Sequence, residues 1–241
     1  MNEKDTRLSV VVPCYNEAKS IPLLLEKFAH VLTDKDELIL VDNGSKDDTG
    51  DVLAKLLPEY PFVKVITVED NIGYGYGIVS GLKAAKGVFL SWTHADMQTD
   101  PTDVITAYDI IKEKEDAHNY FIKGARRKRP LFDAFFTAGM GVFTSIMLGK
   151  WMTDINAQPN LFHSSFMQKL KKPPNDFSLD LYAYYMAKRN GLKIVKFPVD
   201  FSKRAHGSSH WNTGIASKWK FIKRTADFTF RLKKDLKAQG L

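Results

Sequence analysis

The stretch LSVVVPCYNEAKSIPLLLEKFAHVLTDKDELILVDNGS, residues 8–45, contains two unbroken apolar runs with a helical period between them. LSVVVPCY (8–15) and ELILVDNGS (37–45) lack the alternation of a half-exposed strand. Each therefore predicts a strand covered on both faces. Between them Ile21, Leu24, Leu25, Phe28 and Leu32 recur at helical spacing, which predicts a helix over 19–33. Strand, helix and strand in so short a span make a βαβ unit, and a βαβ unit implies a parallel sheet.

The pattern continues outward. A helix to about Leu57, a strand over 63–71, a helix over roughly 75–86 and a strand over GVFLSWTHAD (87–96) repeat the alternation. The second half is less regular. Residues 119–126 predict a strand, 153–163 an extended segment, 177–190 a helix and 192–204 a strand. No repeat, low-complexity tract or linker interrupts the chain, so the expectation is one α/β domain with a mostly parallel sheet flanked by helices.

The carboxyl ends of the first four strands carry Tyr15–Glu17, Asp42–Ser45, Asn71–Gly73 and His94–Gln98. In open parallel sheets ligands bind beyond those ends, so polar groups gathered there predict a site, although Asp42 and Asn71 also suit ordinary turns. In WTHADMQTDP (92–101) His94 stands two residues before Asp96. Two acids at that spacing would suggest a divalent-metal clamp for a nucleotide diphosphate. Other chemistries lose their support. The glycines of GYGYGIVSG fall at 73, 75, 77 and 81 and miss the dinucleotide fingerprint. Walker A loop, G-x-S-x-G elbow and Cys/His zinc spacing are all absent. Gly73, Gly75 and Gly77 either let backbone approach a ligand closely or open a helix.

Of the 241 residues, 44% are apolar and 26% charged, the balance of a globular protein with a substantial core. The polar start MNEKDTR lacks the layout of a signal peptide, and the single Cys14 permits no internal disulfide. Both favour a cytoplasmic location. From Lys203 onward ten Lys and Arg face only Asp227 and Asp235, whereas the preceding chain is close to neutral. Such a tail suggests an anionic partner. Trp219, Ile222, Ala226 and Phe230 share one face of a tail helix, widened by Phe221, Phe228 and Leu232. This basic amphipathic helix suits an anionic membrane surface, or it packs on the domain with its lysines solvated. Nucleic acid is the weakest partner, because no recognised module accompanies the charge. Residues 130–150 hold one charge, Asp133, between Pro130 and Lys150. Their length approaches a membrane span. Spanning would separate Arg126 from Asp154 across a bilayer, so a core or interfacial helix is expected instead.

VVPCYNEAKSI, LVDNGSKDDT, NIGYGYGIVSGLKAAKG and HADMQ, in that order and spacing, resemble the nucleotide-sugar half of family-two glycosyltransferases with the GT-A fold. GAR (124–126), TDINAQPNLF (153–162) and PVDFSKRAHGSSHW (198–211) resemble its dolichyl- or polyprenyl-phosphate sugar synthase branch. The likeness implies a GT-A domain over 1–211, with a nucleotide-sugar half (1–100) and an acceptor half (101–211), followed by the amphipathic helix (212–241). It implies that Pro13, Tyr15 and Glu17 line a nucleoside pocket shaped by Asn71 and Gly73, with Asp42 on the base or ribose. Ala95 and Asp96 would meet ribose and diphosphate. Asp96, His94 and Gln98 would hold Mn²⁺ or Mg²⁺, and Arg126 and Arg204 would face the diphosphate or an acceptor phosphate. Asp180, eleven residues before Gly191, matches the family's general base, with Leu179 in place of the usual Glu and Asp176 as nearby rival.

The implied reaction is inverting transfer of a sugar from a nucleotide-diphosphate donor. A lipid-phosphate acceptor on the inner face of the membrane is the first expectation, since a phosphate is already an oxyanion and needs no base. A glycan or small-molecule hydroxyl would need Asp180 to take its proton. A third possibility is a non-catalytic nucleotide-sugar-binding protein in which histidine has replaced the first acid of the clamp. A sugar nucleotidyltransferase lacks its glycine-rich, lysine-bearing N-terminal loop. Imidazole among the ligands shifts metal preference from Mg²⁺ towards Mn²⁺.

Overall fold

A computed structural model describes residues 6–127, 131–200 and 215–238. One seven-stranded sheet organises them. Its strands are β1 (Leu8–Cys14), β2 (Asp36–Asn43), β3 (Val63–Val68), β4 (Phe89–Trp92), β5 (Tyr120–Arg127), β6 (Asn160–His163) and β7 (Lys193–Asp200). The order is β3-β2-β1-β4-β6-β5-β7. Every pairing is parallel except those of β6, which runs antiparallel to both β4 and β5. The predicted mostly parallel sheet is therefore correct, and the exception lies in the half with the weaker sequence pattern.

Two apolar layers cover the sheet. On one side Leu8, Val10, Val12, Leu38 and Leu40 pack against α1 (Ile21–Val31), α2 (Thr49–Leu56) and α4 (Thr102–Ile111). On the other, Val11, Ile39, Val41 and Trp92 meet α3 (Tyr74–Ala84), α6 (Leu179–Arg189) and α7 (Ile215–Ala238). Because β1 and β2 are buried on both faces, their sequences could not alternate. Helix α5 (Leu131–Leu148) joins the second layer through Leu148 and packs along α7.

Three expectations change. The extended segment over 153–163 is a strand only from Asn160. Before it the chain turns at Asp154, which has a left-handed φ of 49°, so a continuous extended run is impossible. Helix α4 went unpredicted. The tail helix buries Phe228, Leu232 and Leu236, while Trp219 and Phe230 stay exposed. The inward stripe is thus rotated from the face drawn through Trp219 and Phe230, and α7 is part of the core. Among the described residues no helix is long and apolar enough to cross a membrane.

Candidate active site

The two edges of the sheet differ in the use of their charges. At the amino ends Arg7 grips Asp36 through two hydrogen bonds of 2.9 and 2.6 Å. Buried Glu37 accepts from the Ser9 hydroxyl at 2.6 Å and the Lys86 amide at 2.7 Å, with Lys64 closing the cluster. These acids are saturated by protein partners and hold strands together. At the carboxyl ends of β1, β2 and β4 lies an open cleft of about 1900 Å³ counting its mouth. Its enclosed part, about 590 Å³, has the size of a small-molecule site.

Eleven of the sequence-predicted residues line this cleft: Pro13, Tyr15, Glu17, Asn71, Gly73, His94, Ala95, Asp96, Gln98, Arg126 and Asp180. Glu17 is held by the Ser20 hydroxyl at 2.8 Å. Asp96, 6% exposed, accepts from the Gln98 amide at 3.2 Å across a turn in which Met97 has φ 58°. Asp42 is not on the lining. Its carboxylate accepts from the Ser45 amide at 3.0 Å and steadies the turn after β2. The next residue, Asn43, takes its place on the wall. Asn43 Nδ2 donates to the Gly73 carbonyl at 3.0 Å, and its buried Oδ1 has no protein partner. Arg204 lies outside the described residues.

The glycines of the α3 entry serve protein packing. A Cβ on Gly73 would fall 2.3 Å from the Asn175 carbonyl oxygen, and one on Gly75 2.3 Å from that of Pro174. Segment 174–176 therefore lies directly on the first turn of α3, bonded to it by the Tyr76 amide at 3.0 Å. Phe177 follows and stacks on Tyr74, with ring centres 4.5 Å apart and planes at 7°. The guanidinium of Arg224, from α7, lies over Phe177 at 5.6 Å, and the His94 ring is 5.8 Å from Tyr74. Burial, with Asp180 and Asp96 nearby, holds the Tyr74 hydroxyl well above the ordinary phenol range, so it remains a neutral phenol. Burial also pushes the Cys14 thiol up, which removes it as a nucleophile.

Asp180 begins α6 almost fully buried. One of its oxygens, Oδ1, accepts from Trp92 Nε1 at 3.1 Å, Gln158 Nε2 at 2.8 Å and Asn160 Nδ2 at 3.2 Å. Oδ2 has no hydrogen bond among the described residues. Three donors on one oxygen orient the carboxylate firmly and leave its second oxygen for a ligand. The rival Asp176 accepts from the Ser178 amide at 2.8 Å in a tight turn ahead of α6.

Arg126 is held by Asp154, which accepts from its Nε at 2.8 Å and from its backbone amide at 2.7 Å. A niche beside the main cleft shares Arg126, Thr137, Asn156 and Phe177 with it and adds Ser178 and Thr225. Among the described residues no carboxylate lines this niche. Ser178 stands at the N-terminus of α6, yet its hydroxyl makes no capping bond and is buried without a partner. The niche, about 20 Å³, holds a water and no more, and Asp180 lies in the first turn of the same helix, so an anion would meet Arg126 and Asn156 in the main cleft.

For a divalent cation the local donors are one carboxylate (Asp96), one imidazole (His94) and one amide oxygen (Gln98). No group of three His, Cys, Asp or Glu able to hold a metal occurs among the described residues. This set fits an ion that completes its shell with substrate phosphate oxygens and water, and does not fit one caged by protein alone.

Several lining residues escaped the sequence reading. Tyr74 and Phe177 face each other only because the glycines admit the 174–176 segment, and Arg224 arrives from a helix read as a separate tail. Gln158 and Asn160, behind the lining, stood in TDINAQPNLF, read as extended and as part of the family likeness but with no role given to either residue. A buried strand end carrying two amides was the available signal.

The sequence model of glycosyl transferase family 2 matches residues 9–134. A dolichyl-phosphate beta-glucosyltransferase of Trichomonas vaginalis is 26% identical across 81% of this chain and 66% of its own length. An undecaprenyl-phosphate 4-deoxy-4-formamido-L-arabinose transferase of Photorhabdus laumondii is 35% identical across 52% of this chain, but only 38% of its own. An undecaprenyl-phosphate mannosyltransferase of Micrococcus luteus is 26% identical across 87% and 89%. The chain thus spans less than two thirds of the first two relatives. Among solved structures, glucosyl-3-phosphoglycerate synthase from Mycobacterium tuberculosis, crystallised with Mn²⁺, UDP and glucosyl-3-phosphoglycerate, superposes with a TM-score of 0.71 at 16% identity. That match covers 95% of this chain and 80% of that one, and at such identity the likeness is one of fold.

Proposed function

Because this chain belongs to glycosyl transferase family 2, whose model matches more than half of it, we propose that it moves a sugar from a nucleotide-diphosphate donor to a lipid-phosphate acceptor at a membrane surface. The observation that carries the reading is one cleft lined both by His94, Asp96 and Gln98 and by Arg126 and Asn156. Pro13, Tyr15, Asn43 and Asn71 would border the nucleoside, and Asp96 and Ala95 the ribose and diphosphate. Asp96, His94 and Gln98 would hold a divalent cation, Mn²⁺ better than Mg²⁺, which when bound neutralises the leaving diphosphate. Arg126, steadied by Asp154, would orient the acceptor phosphate with Asn156, and Arg204 is proposed for the same task. Aligning acceptor and donor removes most of the entropic barrier to transfer. The acceptor oxyanion attacks the face of the sugar opposite the leaving group, the inverting outcome that the family resemblance implies. The named acceptors of the curated relatives, dolichyl and undecaprenyl phosphates, support this choice.

A membrane surface is proposed from α5 and α7. Phe135, Ile146, Trp219 and Phe230 stay exposed on these two packed helices, and Trp219 and Phe230 are close in sequence to Lys220, Lys223, Arg231 and Lys234. Aromatic and aliphatic groups beside lysines suit an anionic leaflet.

A second reading keeps the donor but uses a glycan or other hydroxyl acceptor. It is favoured by the unoccupied Oδ2 of Asp180, suited to take a proton. A screen of UDP- and GDP-sugars against undecaprenyl phosphate in anionic vesicles, with and without chelator, tests the leading reading. Expected is lipid-linked product that vanishes with chelator. Donor binding without turnover on any acceptor would overturn it, and near-wild-type turnover by Asp180→Asn would reject the hydroxyl version.

A further inference from the structure

Lys123 is wholly buried on β5, and no step above employs it. Its Nζ donates to the Ala157 carbonyl at 2.6 Å and to Asn160 Oδ1 at 3.0 Å, and it faces the Tyr184 ring at 5.6 Å. A lysine nitrogen in its charged form donates and never accepts. The Asn160 amide must therefore turn its oxygen towards Lys123 and its NH₂ the other way. That NH₂ donates to Gln158 Oε1 at 2.8 Å and to Asp180 Oδ1 at 3.2 Å. With Gln158 Oε1 so engaged, Gln158 Nε2 is directed to Asp180 Oδ1 at 2.8 Å and to the Tyr74 hydroxyl at 3.1 Å. Reversing either amide would press a carbonyl oxygen against a buried carboxylate, where low dielectric magnifies the repulsion.

We propose that Lys123 is a positioning residue for Asp180: through Asn160 and Gln158 it fixes the direction of the donors that converge on Oδ1, and so leaves Oδ2 to the ligand. The inference rests on the reading of the cleft as a glycosyl-transfer site. The groups facing Lys123 are Asp180 and Tyr184 from α6, Asp154 from the preceding loop, Arg126 on its own strand and Lys196 from β7. Burial lowers its pKa to about 7, opposed by Asp180 and Asp154 and assisted by Arg126 and Lys196. Loss of the proton leaves two N–H groups, enough for both carbonyl partners, so the direction of the relay survives while its charge does not.

The test uses the full chain and Lys123→Met, which keeps the length of the side chain and removes its donors. The indole N–H of Trp92 bonds to the same Oδ1, so its resonance in ¹⁵N-tryptophan-labelled protein reports the state of Asp180 without any substrate. Four tryptophans make assignment simple. Expected in K123M is a shift of the Trp92 signal in the direction produced by Asp180→Asn, with the other three unmoved. An unmoved Trp92 signal overturns the proposal.

The second readout is transfer from UDP-glucose with Mn²⁺ to undecaprenyl phosphate in vesicles, where Oδ2 of Asp180 would hold a hydroxyl of the donor sugar and would take no proton. K123M should lower kcat by about ten- to a hundredfold, as misplacement of a reacting group does, with the donor KM little changed. In the Asp180→Asn background the same change should cost nothing more, whereas a merely structural lysine would subtract equally from both backgrounds. If K123M does not fold, Asn160→Leu breaks the relay one residue closer to Asp180. It must reproduce the Trp92 shift and the kcat loss, and failure to do so is equally fatal. A wild type without turnover on these probes would count against the parent reading, while the Trp92 shift still decides this one.

Discussion

Replacing Gly75 by alanine probes the packing that forms the back wall of the cleft. A Cβ there would lie 2.3 Å from the Pro174 carbonyl oxygen and 2.7 Å from that of Asp176. Real Cβ atoms keep at least 3.0 Å, so against 2.3 Å the segment must retreat by about 0.7 Å. Both obstacles are backbone, and no change of rotamer relieves them. The displaced residues run straight into Phe177, Ser178 and Asp180. Overpacking of this kind costs about 1–3 kcal/mol, which for a chain of this size lowers Tm by about 2–4 °C per kcal/mol. A shift approaching an ångström at a reacting group costs about a hundredfold in rate. Calorimetry and the transfer assay should therefore show a modest fall in Tm and a disproportionate fall in kcat. Gly139→Ala is the control, since a Cβ at that helical position meets nothing within 4 Å. Helix propensity makes that change neutral or stabilising by up to about 1 kcal/mol. A Gly75→Ala protein indistinguishable from the control in Tm and kcat would refute the packing argument.

Lys123 makes stability depend on pH. Its folded pKa of about 7 lies below the unfolded value of about 10.4, so between them the unfolded chain holds a proton that the folded chain lacks. Stability of the wild type relative to Lys123→Met should rise across that window by up to about 1.4 kcal/mol per pH unit; parallel urea midpoints would contradict this. His94→Asp restores an acidic clamp and should keep or raise Mg²⁺-supported turnover; loss of activity with both Mg²⁺ and Mn²⁺ would remove His94 from the ligand set. Phe135→Asp with Ile146→Glu removes two side chains exposed by 80% and 74%. It should weaken sedimentation with anionic vesicles by about tenfold or more, at about 1.5 kcal/mol or more per lost apolar side chain, with Tm unchanged; full vesicle binding would argue against the membrane face.

What sequence could and could not convey follows from the physics of each segment. The runs at 8–15 and 37–45 announced doubly covered strands because burial on both faces leaves no choice of residue type. β6 is four residues long and its neighbours turn at Asp154, so no periodicity could reveal an antiparallel insertion. Helix α4 was legible: Val104, Ala107, Tyr108 and Ile111 recur at helical spacing and all are buried. The residues of the cleft wall could be named because polar groups cluster after the strand ends and the family resemblance gave each of them a place. The exchange of Asn43 for Asp42 on the lining could not, since two adjacent polar residues leave open which one borders a cleft. The network behind Asp180 was invisible for another reason. Trp92, Lys123, Gln158 and Asn160 look like ordinary members of separate segments until the β4-β6-β5 pairing brings them together.

The central claim is that the carboxyl edge of β1, β2 and β4 receives a nucleotide diphosphate through Asp96. Calorimetric titration of UDP and of GDP, each with Mn²⁺, into wild type and Asp96→Asn tests it most directly. Saturable one-site binding of at least one nucleotide, dependent on Mn²⁺ and weakened about tenfold or more in the variant, is the predicted result, because an ionic contact of this kind contributes at least about 1.4 kcal/mol. Binding of neither nucleotide, or equal binding by both proteins, would contradict it.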